Sequence, residues 1–371
     1  MRRPTAAILI AVLAVCLLPA AAQGARLPKE FMGLVPQTSL TPGDTGRMKQ
    51  ARVGSIRSPM NWALIEGTPG VYKWSDFDET VAAAARVRIR VLPFLYATPG
   101  WVSPKQTNLP TAGAARQAWI AFARAAVQRY GPRGSFWAEN PGLPRMAIRK
   151  WQIWNEANFF YFTTPASPGR YAKLLKDSYR AIKSVDRGGQ VILSGLFGKP
   201  DQRPPRAMAA AAFLNRLYKV RGIQRFFDGV ALHPYAANTR ALRRLVEQVR
   251  RVSVRNRDRG VNLYITEIGW GSQHNPRRVA FEVGRGGQVR ELTSAYTYLI
   301  RNRGRLRIRG VYWFSWKDVP GTPCSFCDSV GLFHQGAGFR AKPAWNVFRK
   351  FGRGQLPRPA RRAQRRANRR R

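Results

Sequence analysis

Two glutamates stand out in a chain that has only 19 acidic residues against 64 basic ones. Glu156 ends the run Trp-Gln-Ile-Trp-Asn-Glu, and Glu267 lies in the run Tyr-Ile-Thr-Glu-Ile-Gly-Trp. Each carboxylate therefore follows a short apolar stretch and has aromatic neighbours. Most other acidic residues, such as Asp177 and Glu247, fall in segments with helical periodicity or in loops. This placement marks Glu156 and Glu267 as candidate reacting groups.

A pair of carboxyl groups suits the cleavage of a glycosidic bond. One group donates a proton to the leaving oxygen, and the other stabilises or attacks the carbon that develops oxocarbenium character. Aromatic neighbours offer flat faces for sugar rings and exclude water, and a dry environment raises the pKa of a carboxyl group that must remain a proton donor. The alternative interpretation is that each glutamate only pairs with an arginine of this basic chain.

The elements that must position these groups follow from hydrophobic patterning. Eight short apolar runs rich in β-branched and aromatic residues predict strands, and segments with helical periodicity separate most of them. Eight βα units in a chain of this length predict a single (β/α)8 TIM barrel. A doubly wound sheet is the structural alternative, but no Gly-rich phosphate-binding sequence follows the first strand. The predicted strands are 31–35, 53–59, 89–96, 148–154, 190–196, 227–233, 262–268 and 310–316.

Both glutamates fall at the C-terminal ends of predicted strands, the fourth and the seventh, where a TIM barrel carries its chemistry. Together with motifs near strands two, six and eight, these runs resemble the clan A retaining glycoside hydrolases, and the family 39 and family 5 enzymes are closest in pattern. The resemblance covers nearly all of the predicted domain. Two positions depart from the family 5 pattern: Tyr96 stands where many members have a histidine, and Ala157 follows Glu156 where proline is common.

The resemblance implies a hydrolase that cleaves O-glycosidic bonds of a β-linked oligo- or polysaccharide by a retaining double displacement. Glu156 would be the acid/base and Glu267 the nucleophile. No metal or cofactor is expected. Three interpretations from other classes remain open. They are a catalytically inactive carbohydrate-binding barrel, a transglycosidase at the cell wall, and a polyanion-binding protein whose barrel is only a carrier.

The resemblance also implies five substrate-binding residues. Asn155 would hold the sugar 2-hydroxyl, Arg57 would steady the nucleophile, and Tyr235 would hydrogen-bond Glu267. His233, in Leu-His-Pro-Tyr, would line the site, and Trp316, in Trp-Phe-Ser-Trp, would stack on the sugar. For Trp316 and His233 the alternative is a buried core residue, and for Arg57 it is one arginine among many.

Both termini differ from the rest of the chain. Residues 1–25 combine a basic start, an apolar run and small residues near Ala22 and Ala25, which predicts a secretory signal peptide. Lipid attachment at Cys16 is a weaker alternative. Residues 353–371 are almost all Arg, Pro, Ala and Gln, which predicts a disordered tail. Residues 26–352 are left as the catalytic domain of a secreted protein.

The formal net charge of +45 indicates attraction to polyanions. We expect the Arg-rich tail to bind an anionic cell-wall or surface polymer and expect no specific nucleic acid partner. The alternative for the remaining basic residues is that they form solvated helix faces, as in 239–259.

Cys324 and Cys327 form an isolated C-x-x-C pair, for which a local disulfide is the first interpretation in a secreted chain. A redox pair would need a thioredoxin-like βαβ pattern, and a zinc site would need more ligands than nearby His334.

Overall fold

The structure is a computed structural model that describes residues 27–274, 280–321, 324, 326–336 and 338–356. The predicted signal peptide, Cys16 and residues 357–371 of the predicted tail lie outside the described residues. Within the described part of the chain, no helix is long and apolar enough to cross a membrane.

Eight parallel strands close into a barrel, with each strand paired to the next and β8 paired back to β1. Every strand predicted from the sequence overlaps an observed one, so the prediction of a single (β/α)8 barrel is confirmed. The strands are β1 Met32–Val35, β2 Ser55–Asn61, β3 Arg90–Tyr96, β4 Lys150–Ile153, β5 Gln190–Phe197, β6 Gly229–His233, β7 Asn262–Ile268 and β8 Ile308–Phe314.

At least one helix follows every strand, and a 3-10 turn at Ile223–Phe226 precedes β6. The helices are α1 Pro42–Gln50, α2 Trp62–Ile65, α3 Ser75–Arg86, α4 Gly113–Tyr130, α5 Ser135–Glu139, α6 Pro168–Val185, α7 Ala210–Tyr218, α8 Thr239–Arg255, α9 Gly284–Arg301, α10 Arg303–Leu306 and α11 Pro343–Gly352.

Local sequence explains where the long helices begin and which face they bury. Ser167 caps α6 by accepting from the backbone of Arg170, with Pro168 in the first turn. In α8, apolar residues at helical spacing, including Leu242 and Val249, are fully buried. Its arginines 243, 244, 251 and 255 are exposed, so this basic segment forms a solvated helix face.

The barrel interior changes from aromatic to polar along its axis. Near the strand starts, the Tyr312 ring fills the interior so closely that a Cβ on Gly33 would lie 2.3 Å from it. The Tyr312 hydroxyl donates to Ser55 of β2. Two residues further along β2, on the same face, Arg57 opens a fully buried polar layer. This layer lies directly beneath the strand ends that carry the candidate site.

Candidate active site

A cavity of about 540 Å³ opens at the C-terminal ends of the strands, and both Glu156 and Glu267 line it. Glu156 follows β4 and is 5% exposed, whereas Glu267 lies in β7 and is 8% exposed. One oxygen of each carboxylate and a ring nitrogen of His233 lie within 4.8 Å of one another. The structure therefore brings the two sequence-predicted carboxylates face to face across one cavity.

Arg57 lies at the bottom of this cavity, and its guanidinium group links three neighbouring side chains by donating a hydrogen bond to each. Its Nη1 donates to Oε1 of Glu267 at 2.7 Å and its Nη2 to Oδ1 of Asn155 at 2.7 Å. Its Nε donates to Oε1 of Gln152 at 2.6 Å. The guanidinium also lies over the ring of Phe94, 3.9 Å from the ring centre. A fully buried cation is tolerated because the opposite charge and these acceptors compensate for its lost hydration.

Glu267 is held by donors on both of its oxygens. Besides the Arg57 bond to Oε1, the Tyr235 hydroxyl donates to Oε2 at 2.7 Å. Burial raises the pKa of Glu267, while the charge of Arg57 and the hydrogen bonds from Tyr235 and Arg57 act against that rise. These donors favour the ionised form, which is the form that a nucleophile requires.

Glu156 has a different environment. Burial, reinforced by the charge of Glu267, raises the pKa of Glu156 well above its usual range, and Arg57 only partly opposes this. Its backbone has φ +39°, in the left-handed region that non-glycine residues seldom adopt. Such strain is often found at functional sites. The two carboxyl groups thus differ as a proton donor and a nucleophile must differ.

His233 links Glu156 to the polar layer. Its Nδ1 lies 2.8 Å from Oε1 of Glu156 and its Nε2 lies 3.0 Å from the Thr266 hydroxyl. Burial and the charge of Arg57 hold the pKa of His233 well below its usual value, so the ring is neutral near pH 7. In one tautomer that satisfies both contacts, Thr266 donates to Nε2 and Nδ1–H donates to Glu156.

Space for the His233 ring depends on Gly195. A Cβ on Gly195 in β5 would lie 1.9 Å from Nε2 of His233. Any side chain at position 195 would therefore displace the ring from its contacts with Glu156 and Thr266. Gly195 is a functional position that the sequence analysis missed.

The structure corrects the prediction for Trp316. This residue is 1% exposed, its indole nitrogen donates to Asp44 at 2.8 Å, and its ring packs against Phe333 at 4.5 Å. It offers no ring face to a ligand. The sequence pattern extended the eighth strand to residue 316, but β8 ends at Phe314, and Phe314 is the aromatic residue that lines the cavity from this strand.

Further residues that sequence reasoning missed belong to two groups. Gln152 is a fully buried polar residue within the apolar run of β4, and this contrast was a readable signal. The aromatic run 159–162 directly after Glu156 was a second signal, because residues 159, 161 and 162 line the cavity. Tyr96, at the end of β3, was not missed, because the sequence already placed it after the third strand as a candidate subsite residue, and it lines the cavity.

The loop after β8 covers one side of the cavity. Cys324 and Cys327 are joined by a disulfide, and both line the cavity together with Phe326. Nearby, the buried Lys342 ammonium donates to Asp318 at 2.6 Å and to the carbonyl of Ser329 at 2.8 Å. These links anchor the loop that places Phe326 over the site.

Glu156, His233 and Glu267 also form a cluster of metal-ligand types within the described residues. Oε1 of Glu267 is already bound by the Arg57 guanidinium, and Oε1 of Glu156 is bound by His233. A divalent ion there would lie close to a fixed cation, which Coulomb repulsion disfavours. The metal-free site stays a prediction.

No protein-family model matches the sequence, and no curated protein sequence matches it. Solved structures do match. A family 39 glycoside hydrolase from the gut symbiont Bacteroides cellulosilyticus WH2 aligns with a TM-score of 0.63 at 20% identity, over 87% of this chain and 64% of that one. A family 5 enzyme from Streptomyces cattleya, in complex with Manβ1-4GlcNAc, aligns with a TM-score of 0.61 at 15% identity, over 86% and 77%.

Xylanase 10B from Thermotoga maritima aligns with a TM-score of 0.59 at 14% identity, over 88% of this chain and 95% of that one. This chain spans just under two thirds of the length of the family 39 enzyme. At these identities the likeness concerns the fold. The chain therefore shares the (β/α)8 barrel fold of these three enzymes.

Proposed function

We propose that this protein is a retaining glycoside hydrolase that cleaves O-glycosidic bonds of a β-linked carbohydrate. The observation that carries the proposal is the carboxylate pair, whose facing oxygens lie within 4.8 Å in a buried, polar-floored cavity. The donors on both oxygens of Glu267 suit a nucleophile and therefore favour retention. Retaining enzymes place their carboxyl groups about 5–5.5 Å apart, and inverting enzymes place them about 6.5–9.5 Å apart to admit a water molecule.

In the first step, an oxygen of ionised Glu267 attacks the anomeric carbon and forms a carbon–oxygen bond. The bond to the leaving oxygen breaks with its electron pair, and that oxygen takes the proton of Glu156. Arg57 and Tyr235 hold Glu267 in place for the attack. Asn155 uses its Oδ1 on Arg57, so its NH2 group serves as the donor to the sugar 2-hydroxyl.

In the second step, the ionised Glu156 removes a proton from water as the water oxygen attacks the anomeric carbon. The bond to Glu267 breaks, and both carboxyl groups return to their starting states. The raised pKa of Glu156 supports its role as the proton donor. His233 orients the carboxyl group in both steps through its 2.8 Å contact.

The fold comparisons support a carbohydrate substrate. The similar structures are described as a β-xylosidase from Caulobacter crescentus, an exo-β-1,4-mannosidase from an Opitutaceae bacterium and the enzymes named above. Their glycones differ, so the fold supports the reaction class and leaves the sugar to experiment.

Turnover of 4-nitrophenyl β-glycosides of glucose, xylose, mannose and galactose, with dyed β-glucans, xylans and mannans, tests the proposal. Glu156→Gln and Glu267→Gln are compared with Glu79→Gln, which replaces an exposed glutamate on α3. We expect turnover to fall by at least a thousandfold in both site variants and to be unchanged in the control. A wild-type protein that binds a polysaccharide without cleaving it would favour the inactive-barrel alternative. Transfer to an added sugar acceptor in preference to water would favour the transglycosidase.

We also propose that the protein is secreted and that its Arg-rich tail attaches it to an anionic cell-wall polymer. Residues 1–25 support secretion, and the run of arginines after residue 353 supports the attachment. The full chain should sediment with anionic cell wall at low salt and be released at high salt, whereas a chain ending at residue 356 should not sediment. Equal retention of the two chains would contradict the attachment.

A further inference from the structure

We propose that the cavity takes an uncharged glycoside whose leaving group is apolar, an aryl or alkyl group rather than a further sugar unit. This inference rests on the proposed function and deepens it. It follows from the composition of the cavity lining, from the position of aromatic residues beside Glu156, and from the distribution of charge around the site.

The lining is mostly apolar. Of the eighteen described residues that line it, ten are aromatic and four more are Pro59, Val319 and the two disulfide cysteines. Apart from the two glutamates, Gln37 and Asn155 are the only polar, non-aromatic residues in this described set. The Tyr235 hydroxyl is already bound to Glu267. These polar groups can serve one sugar unit, but a second unit buried among the described lining residues would leave hydroxyls without partners, which is unfavourable, whereas an apolar group would not.

Part of this lining forms an aromatic wall, defined here as Phe159, Tyr161, Phe162 and Phe197. The Phe159 ring is stacked on Phe197, with ring centres 4.8 Å apart and planes 12° apart. The backbone of Phe159 donates to the carbonyl of Glu156 at 2.8 Å. The wall therefore lies beside the proton donor.

The proton donor acts on the leaving oxygen, so the leaving group must lie on the side of Glu156. That side is the aromatic wall, which ends in Tyr161, 60% exposed at the cavity mouth. A flat aryl ring or an alkyl chain bound against this wall as the leaving group would be shielded from water, which favours its binding.

The described lining residues include no basic side chain that could pair with an anionic substrate. Although the chain has 64 basic residues, none of the described ones lines the cavity. Arg57, the buried cation below it, already donates to three acceptors. Uronates, sulfated sugars and phosphorylated sugars therefore have no cation among the described lining residues with which to pair.

Alkyl glycosides of one sugar test this inference because the sugar and the type of bond that is cleaved stay the same, and only the length of the alkyl leaving group changes. The sugar is the one that the 4-nitrophenyl panel identifies, and methyl, butyl and hexyl glycosides are compared with a β-linked disaccharide and with the glycosyl fluoride. We expect kcat/KM to rise at least tenfold from methyl to hexyl and to be lowest for the disaccharide. Equal values for methyl and hexyl, or a preference for the disaccharide, would overturn the inference.

Tyr161→Ala locates the effect. We expect it to lower kcat/KM for the hexyl glycoside three- to tenfold through KM and to leave the glycosyl fluoride unchanged. Leu64→Ala, at an exposed apolar residue of α2 outside the cavity lining, is the matched control and should change neither substrate. A uniform loss on every substrate would mean that Tyr161 has only a structural role and would contradict the assignment.

The glycosyl fluoride separates the two proposals, because it is activated and lacks an organic leaving group. Failure of the wild type to cleave the fluorides of all four sugars would contradict the hydrolase itself. In that case, calorimetric binding of hexyl and methyl glycosides to Glu156→Gln still tests the wall. Tighter hexyl binding with a negative heat-capacity change would support the apolar subsite, and equal binding would overturn it.

Discussion

The polar floor of the cavity and its aromatic wall are built in different ways. The floor, which comprises Arg57, Gln152, Asn155, His233 and Tyr235, lies on or directly after strands β2, β4 and β6, and each member is bound to another member or to a glutamate. The wall lies on the loop after β4 and at the end of β5, and its Phe159 ring stacks on Phe197 and contacts Tyr161 edge to face. Under the proposed function, this difference means that the barrel strands carry the reacting groups and the loops select the leaving group.

Arg57→Leu is expected to damage the floor most. Glu267 would remain buried without its cation, and Asn155 and Gln152 would each lose a donor. Breaking a buried ion pair costs about 3–5 kcal/mol of the free energy of unfolding. Loss of such electrostatic support lowers kcat by about 10²–10³-fold. Urea unfolding and turnover measure the two effects.

Arg57→Lys is the matched control for that change. Lysine keeps the charge but cannot donate to Glu267, Asn155 and Gln152 in the planar geometry of the guanidinium group, so we expect intermediate losses of stability and of turnover. Stability and turnover in Arg57→Leu close to those of the wild type would show that the floor does not depend on this residue.

Gly195→Ala should have the next largest effect, because its Cβ would overlap Nε2 of His233. Overpacking of this kind costs about 1–3 kcal/mol, and displacement of His233 would lower kcat more than it raises KM. Gly46→Ala in α1, where a Cβ would meet nothing within 4 Å, is the control and should be neutral or slightly stabilising. Comparable kcat values in the two variants would refute the role given to the His233 position.

Much of the floor could be predicted from sequence because strand period and motif together specify it. Glu156, Glu267, Asn155, Arg57, His233 and Tyr235 follow or lie within apolar runs, and the structure brings all six together. Trp316 was assigned to the site because the predicted eighth strand extended to residue 316, whereas β8 ends at Phe314. Beyond the end of a strand, side chains two residues apart need not point to the same side. Strand ends are set by tertiary packing as well as by local pattern.

The aromatic residues that reach the cavity from distant loops, and Gly195, could not be predicted in this way. Phe281 and Phe326 are far apart in sequence and meet at the cavity with ring centres 5.0 Å apart, through loops whose course depends on the whole fold. Gly195 looks like any strand glycine until the His233 ring is placed beside it.

Glu156→Gln should raise stability in a pH-dependent manner. The folded pKa of Glu156 is raised above its usual value near 4.5, so the folded protein keeps a proton that the unfolded chain releases. The wild type therefore loses stability as the pH rises from about 4.5 towards the folded pKa, by about 1.4 kcal/mol for each pH unit. Glutamine has no proton to release, so its Tm advantage should be absent at pH 4 and grow as the pH rises towards the folded pKa of Glu156.

Glu79→Gln is the control for this series and should show no such trend. A Glu156→Gln protein whose Tm difference from the wild type is constant between pH 4 and pH 7 would contradict the raised pKa of the proposed proton donor.

The smallest effect is expected for the loop after β8, which covers the cavity but belongs neither to the floor nor to the aromatic wall. Cys324→Ser with Cys327→Ser would loosen the loop that places Phe326 over the cavity, at a cost of about 2 kcal/mol by loop-closure entropy. We expect KM for the hexyl glycoside to rise a few-fold and kcat for the glycosyl fluoride to be unchanged. A large fall in kcat for the fluoride would show that the loop supports the floor as well.

The most direct test of the central claim is to trap the covalent intermediate. The protein is incubated with the 2-deoxy-2-fluoro glycoside of its preferred sugar carrying a dinitrophenyl leaving group, and the intact protein and its peptides are weighed by mass spectrometry. The account predicts one fluoroglycosyl group per chain, on the peptide that contains Glu267, and no adduct in Glu267→Gln. An adduct on another residue, or turnover with inversion at the anomeric carbon, would contradict the account.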